Sequence, residues 1–274
     1  MHLVAIDIDG TLYTSGHAIP PDVPPYLRQL EDRGVMVVLC TGRRYRSALP
    51  IARETGVRSP MILHSGALVR NPVDHTTVFK KYLSHASALD AAEVMIEENH
   101  HPIMWVDEFE KGLDMVSTPA APDAFETWYL NRFREYVRYF DTWADFKSDR
   151  IFEVCAWGEF NTLVGLGNRI LREHGHKVRL HVAKNIIDEK SILEVFDPMV
   201  SKWNAIEALA LLYDVPNEYI VAIGDNYNDI EMIQRAGVGV AMGNSVPEVT
   251  AVADYVTTSN DDNGLLRALK KYFG

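Results

Sequence analysis

Apolar residues along this chain fall into two rhythms. Runs with almost no polar interruption predict strands over residues 3–8, 35–40 and 219–224, with the composition of strands buried on both faces. A further strand region covers 61–69. Between these runs the spacing is helical. Residues 26–34 set Leu27 and Leu30 on one face and stop at Gly34, while 44–55 stop at Gly56 around an irregularity at Pro50. Ser201 caps a helix to 212 with Ala205, Leu209 and Leu212 aligned. Gly237 ends a short helix begun near Asp229, short strands follow at 238–242 and 254–257, and a helix over 265–272 closes the chain. Strands alternating with helices in this way predict an α/β fold built on a Rossmann-like parallel sheet.

From about residue 84 to 189 the pattern changes. Aromatic side chains become dense, Trp105, Trp128, Trp143 and Trp157 among them. Strands expected at 103–107, 151–157 and 177–183 alternate with helices near 86–98, 123–138 and 161–173. This predicts a second, α+β unit inserted into the first, with its own sheet and helices on one face. The expected division is a discontinuous core, 1–83 and 190–274, and an inserted unit, 84–189.

With 274 residues, 47% hydrophobic and 24% charged, the chain has ordinary globular composition and ample material for two modest domains. A formal net charge of −11 argues against nucleic acid or an anionic membrane as a partner. Phosphate can still bind where positive charge is concentrated, so single Lys and Arg residues matter. Cys40 and Cys155 both lie in strand-like runs, which predicts buried thiols, no disulfide and a reducing cytoplasm. No apolar run approaches the ~18–20 residues of a membrane span, and no basic segment precedes the first strand as a signal peptide requires. The pairs His100-His101 and His174-x-His176 lack metal-ligand spacing and are expected at the surface.

The first strand breaks into Asp7-Ile8-Asp9-Gly10-Thr11. Carboxylates at the end of an apolar strand are costly unless a cation or hydrogen bonds compensate them. Two other predicted strands also end in polar residues, Thr41-Gly42-Arg43 and Gly224-Asp225-Asn226. In an open parallel sheet, ligands bind at that edge. Asp7, Asp9 and Asp225 cannot crowd together ionised without repulsion, and an all-oxygen set lacking His and Cys favours Mg²⁺. The hydroxyl of Thr41, the backbone N–H of Gly42 and the ammonium of Lys202 at a helix N-terminus suit phosphoryl oxygens.

In order and spacing over the whole chain, these segments resemble the haloacid dehalogenase superfamily of phosphohydrolases. Its motifs stand here as Asp7-Ile8-Asp9-Gly10-Thr11, Leu39-Cys40-Thr41-Gly42-Arg43, Lys202, and Gly224-Asp225-Asn226-Tyr227-Asn228-Asp229. The insertion resembles the large α/β cap of the Cof-type branch, type IIB. The resemblance implies that Asp7 is a nucleophile forming an aspartyl phosphate, and that Asp9 protonates the leaving alcohol and later activates water. It implies Mg²⁺ held by Asp7, the backbone carbonyl of Asp9 and Asp225. A phosphoryl group would be gripped by Thr41, Gly42, Lys202 and Asn228, with Asp229 supporting the metal waters or Lys202. The implied activity is a Mg²⁺-dependent phosphoric monoester hydrolase acting on small phosphorylated metabolites, sugar phosphates foremost. A phosphomutase using the same intermediate and a non-catalytic phospho-ligand sensor are the alternatives. Intact Asp7, Asp9, Lys202 and Asp225 weigh against the sensor. Arg43, Lys184 and Asn185 are the candidates for substrate choice. Two departures stand out: His64-Ser65-Gly66-Ala67 where the branch often has Asn-Gly-Ala, and Trp203 where a small residue usually follows the lysine. Both bear on the expected substrate-facing wall.

Overall fold

In the computed structural model, which describes residues 1–119, 124–187 and 190–274 but not the side chains of 185–187, the apolar runs of the outer segments become strands. The N-terminal segment forms β1 (His2–Asp7), α1 (Val23–Asp32), β2 (Val35–Cys40), α2 (Tyr45–Thr55), β3 (Met61–Leu63), β4 (Leu68–Arg70) and β5 (Thr77–Lys80). The middle forms α3 (His85–Glu97), β6 (Ile103–Glu108), β7 (Leu113–Ser117), α4 (Ala124–Arg132), β8 (Val137–Tyr139), β9 (Ile151–Gly158), α5 (Phe160–His174), β10 (Arg179–Ile187) and β11 (Lys190–Phe196). The C-terminal segment forms α6 (Lys202–Leu212), β12 (Ile220–Gly224), α7 (Ile230–Arg235), β13 (Val238–Ala241), α8 (Pro247–Thr250), β14 (Tyr255–Val256) and α9 (Gly264–Phe273). The chain divides into two units, Met1–Lys80 with Ser201–Gly274, and Lys81–Val200.

The first unit carries an eight-stranded sheet in the order β14-β13-β12-β1-β2-β3-β4-β5. From β14 to β3 the strands run parallel, and β4 and β5 add an antiparallel edge. Successive strands leave β1 and β12 in opposite directions, so the carboxyl ends of these two neighbours flank the topological switch point. Leu3, Val4, Ala5 and Ile6 are fully buried, as a strand covered on both faces requires. On one face Leu3, Ala5 and Val38 pack against Trp203, Ile206 and Leu209 of α6.

Local chemistry accounts for the departures from the expected elements. Helix α1 starts at Val23, ahead of the expected 26, because Pro24 and Pro25 lie in its first turn, where a missing N–H is harmless. The region 61–69 is not one strand. His64, Ser65 and Gly66 take φ of 47, 54 and 113°, and the chain reverses into β4.

The second unit carries a six-stranded sheet ordered β10-β11-β9-β6-β7-β8. Val154, Ala156, Leu193 and Val195 face α3 and α5 in one apolar cluster. Trp157 points the other way and meets Phe125 and Tyr129 of α4, so helices cover both faces instead of one. Lys190–Phe196, expected to open the returning core, is β11, hydrogen-bonded between β10 and β9 in this second sheet. Its alternation of Ile192, Glu194 and Phe196 with Ser191, Leu193 and Val195 matches a pleated sheet. His101, expected at the surface, is buried with Nε2 2.8 Å from the Ser117 hydroxyl. Cys40 and Cys155 are buried free thiols. Among the described residues no helix is long and apolar enough to cross a membrane.

Candidate active site

Asp7 is the last residue of β1 and is buried. The turn after it works only with glycine at position 10, which has φ +87°, and a Cβ there would lie 2.3 Å from Asp225 Oδ2. That close approach lets Thr11 Oγ1 donate to Asp225 Oδ1 at 2.9 Å. On the neighbouring strand Asp225 follows β12, and the turn that carries it is closed by Asp229. Asp229 Oδ2 accepts from the backbone N–H groups of Asp225 and Asn226, both at 3.0 Å.

Lys202 opens α6, whose N-terminus is capped by Ser201 Oγ accepting from Asn204 N at 3.1 Å. Its side chain is fully enclosed, and Nζ donates to Asp7 Oδ1 at 2.5 Å and Asp229 Oδ1 at 2.6 Å. Burial opposes the charge of this ammonium, but Asp229 and Asp7 outweigh it and hold its pKa above the ordinary lysine value. The acids bear the cost. Burial, then Asp229, Asp225 and Asp9, raise the Asp7 pKa well above a normal carboxylate despite Lys202. Asp225 is pushed up to about 7 by burial and Asp229, against the hydrogen bond from Thr11 and the charge of Lys202. Three close carboxylates thus share one buried cation, a deficit that a further cation would remove.

Asp7, Asp225 and Asp229 each bring an oxygen within 4.8 Å of the others. Both oxygens of Asp229 are already engaged, by Lys202 and by two backbone N–H groups. Asp7 and Asp225 are therefore the carboxylates best placed to hold a metal ion, and an all-oxygen donor set fits a hard divalent cation.

Thr41 follows β2 and is 1% exposed, with Oγ1 accepting from Arg43 N at 3.0 Å. The His64–Gly66 turn supports this loop: Ser65 N donates to Thr41 O at 3.0 Å, and His64 N to Arg43 O at 3.2 Å. Gly66 lies so close to α6 that a Cβ would sit 2.1 Å from the Ser201 carbonyl oxygen. The departure at His64-Ser65 therefore falls in a buried buttress between two motif loops, not in an exposed wall. Trp203 is likewise 3% exposed, part of the core under the sheet, with the Arg235 guanidinium 5.2 Å over its ring.

The profile of a family described as haloacid dehalogenase-like hydrolase matches residues 4–269. The chain belongs to that family. Phosphatase YwpJ of Bacillus subtilis (strain 168) is 27% identical over 290 residues, spanning 98% of this chain and 99% of YwpJ. The 5-amino-6-(5-phospho-D-ribitylamino)uracil phosphatase YitU of the same organism is 26% identical, spanning 99% of this chain and 97% of YitU. The HAD subclass IIB sugar phosphatase BT4131 shares the fold at a TM-score of 0.79 and 19% identity, spanning 99% of each chain. This haloacid dehalogenase-like hydrolase is thus an enzyme of the phosphatase class, with a fold shared by BT4131.

Within the hydrolase, the first unit brings Asp7, Asp225, Asp229 and Lys202 together, with Thr41 at the adjacent strand end. Asn228 is half-buried on the turn that carries Asp229, and Gly42 is half-buried beside Thr41. Arg43 does not reach outward. Its Nε and Nη2 donate to the two oxygens of Asp9, at 2.8 and 2.5 Å, and its guanidinium lies 5.4 Å from the centre of the Tyr13 ring. Lys184 is exposed in the second unit with Nζ 5.3 Å over Phe160, and the side chain of Asn185 falls outside the described residues. Two supporting residues were missed from the sequence. Thr11 was visible there only as a hydroxyl at the end of its motif. Asn244 had no signal at all, yet its Nδ2 donates to Gly10 O at 2.9 Å and its Oδ1 accepts from Asn260 N at 3.0 Å, fixing the loop after Asp7.

Proposed function

We propose that this hydrolase is a Mg²⁺-dependent phosphatase that cleaves small phosphorylated metabolites, sugar phosphates foremost, through a phosphoaspartate on Asp7. The observation that carries this reading is the pairing of Asp7 and Asp225 at the switch point, with Lys202 as their one buried cation. In the first half-reaction an Asp7 oxygen attacks phosphorus, the bond from phosphorus to the ester oxygen breaks, and Asp9 gives its proton to the leaving alcohol. In the second, a water passes a proton to Asp9 and attacks the same phosphorus, and the Asp7–phosphorus bond breaks to release inorganic phosphate. Lys202 holds Asp7 in place and offsets charge gathering on the phosphoryl oxygens, which Thr41, Gly42 and Asn228 also grip. Asp7, Asp225 and the backbone carbonyl of Asp9 would hold Mg²⁺, which supplies positive charge to the transferring phosphoryl group when bound. The sugar-phosphate preference draws on YitU, whose named substrate is the phosphate ester of a ribityl chain.

A panel of phosphorylated metabolites assayed for free phosphate, with Mg²⁺ and with excess chelator, tests the reading. Release from sugar phosphates that disappears in chelator is the expected result. Binding of panel members without release from any of them would turn the reading toward a phospho-ligand sensor.

A further inference from the structure

We infer that Arg43 is a positioning residue for Asp9, fixing the carboxylate in the plane from which it exchanges protons with the leaving alcohol and with water. This rests on the reading of Asp9 as acid and base given above. The Asp9 side chain is 50% exposed, and among the described residues its hydrogen-bond donors are Nε and Nη2 of Arg43. An aspartate that exposed, without such a partner, would sample several rotamers. A guanidinium bound by two parallel donors fixes both the position and the plane of a carboxylate, which a point-charge ammonium cannot do. The fork leaves a lone pair free on each Asp9 oxygen, so the clamped group can still take up and hand on a proton.

The clamp is itself held at three points. Arg43 N donates to Thr41 Oγ1, Arg43 O accepts from His64 N, and the guanidinium lies over Tyr13, four residues beyond Asp9 in the same loop. The His64 contact comes from a turn in which two non-glycine residues, His64 and Ser65, adopt left-handed backbone, φ 47 and 54°. Backbone of that kind persists where the surrounding structure over-determines it, and here the turn places His64 N 3.2 Å from the carbonyl of the residue that carries the clamp. Nε and Nη2 both bond Asp9, so the contacts of this guanidinium support a role exerted through that residue, and the test below separates it from a direct grip on the phosphoryl group.

The test compares kcat/KM for glycerol 2-phosphate and p-nitrophenyl phosphate in wild type, Arg43→Ala and Arg43→Lys, with Mg²⁺ present. Nitrophenolate departs without a proton, so formation of the phosphoaspartate from the aryl ester does not need Asp9. Arg43→Ala should lower kcat/KM roughly 30- to 100-fold for the alkyl ester but only about threefold for the aryl ester, the scale on which misplacing an acid acts. Arg43→Lys, which keeps the charge and much of the stem, should show the same split and guards against a folding defect in the alanine variant. Added guanidinium should restore part of the alkyl-ester rate in Arg43→Ala, and in an Asp9→Ala background the Arg43 substitution should add no further loss. An equal loss on both esters, with inhibition by inorganic phosphate weakened in parallel, would make Arg43 a direct phosphoryl ligand and overturn the inference. No loss on either ester would overturn it too. If Asp9→Ala alone spares the alkyl ester, the fault lies in the acid–base reading of Asp9 instead.

Discussion

Replacing Lys202 by Met keeps a long unbranched side chain and deletes what is, among the described residues, the one cation enclosed with Asp7, Asp225 and Asp229. Its ammonium makes two short contacts, 2.5 and 2.6 Å, with no solvent to take its place. Removing one partner from a buried ion pair costs about 3–5 kcal/mol, because the other charge stays buried and uncompensated. Here Asp7 and Asp229 lose their shared partner, and the cluster can relieve the excess negative charge by taking up protons at Asp7, already raised, or at the neighbouring Asp225, already at about 7. With Lys202 gone these folded-state values rise further. A group whose folded pKa exceeds its unfolded one contributes stability at low pH and loses it as pH climbs through the folded value. The penalty should therefore be largest in alkaline solution. Urea unfolding in chelator is expected to show a loss of about 3–5 kcal/mol near pH 8, and roughly half of that near pH 5.5. A loss below about 1 kcal/mol near pH 8, or a penalty that grows on acidification, would refute the view of Lys202 as the sole buried counter-charge.

Asp7→Asn should keep the fold and lower phosphate release by several powers of ten, and turnover within roughly tenfold of wild type would contradict a nucleophilic role. Excess chelator should abolish release, with Mg²⁺ restoring it better than Ca²⁺, whose longer bonds and higher ligand number displace the attacking carboxylate. Gly10→Ala, which sets a methyl 2.3 Å from Asp225 Oδ2 at φ +87°, should lower the thermal midpoint and raise the Mg²⁺ concentration for half-maximal activity. In the metal-free wild type, stability measured by urea unfolding should decline as pH rises through about 7, where Asp225 loses its proton in the fold. Saturating Mg²⁺ should flatten that decline, and an unchanged slope would place the metal elsewhere.

Much of the site was legible because it depends on residue type at strand ends. Asp7, Thr41 and Asp225 follow apolar runs that can only be buried parallel strands, and that placement alone puts them on one edge of a sheet. Lys202 was legible as a cation at a helix start, but not its two carboxylate partners, which lie 195 and 27 residues away along the chain. Arg43 was legible as a cation beside Thr41, but not its two bonds to Asp9, which lies 34 residues away along the chain. Trp203 stood out only as a large residue where a small one usually follows the lysine, and its place in the core beneath the sheet depends on tertiary neighbours that the sequence does not display. Residues 190–196 were counted with the core on position alone, and only the pairing of β11 with β10 and β9 shows that they belong to the second sheet.

The stereochemical course at phosphorus tests the central claim most directly. A phosphorothioate monoester made chiral at phosphorus with two oxygen isotopes, hydrolysed by the wild-type enzyme with Mg²⁺ in water of the third isotope, gives a chiral inorganic thiophosphate whose configuration reports whether phosphorus is displaced once or twice. Attack by Asp7 followed by attack of water inverts the centre twice and predicts net retention. Net inversion would mean that water attacks the substrate directly, and a phosphoaspartate on Asp7 would be excluded.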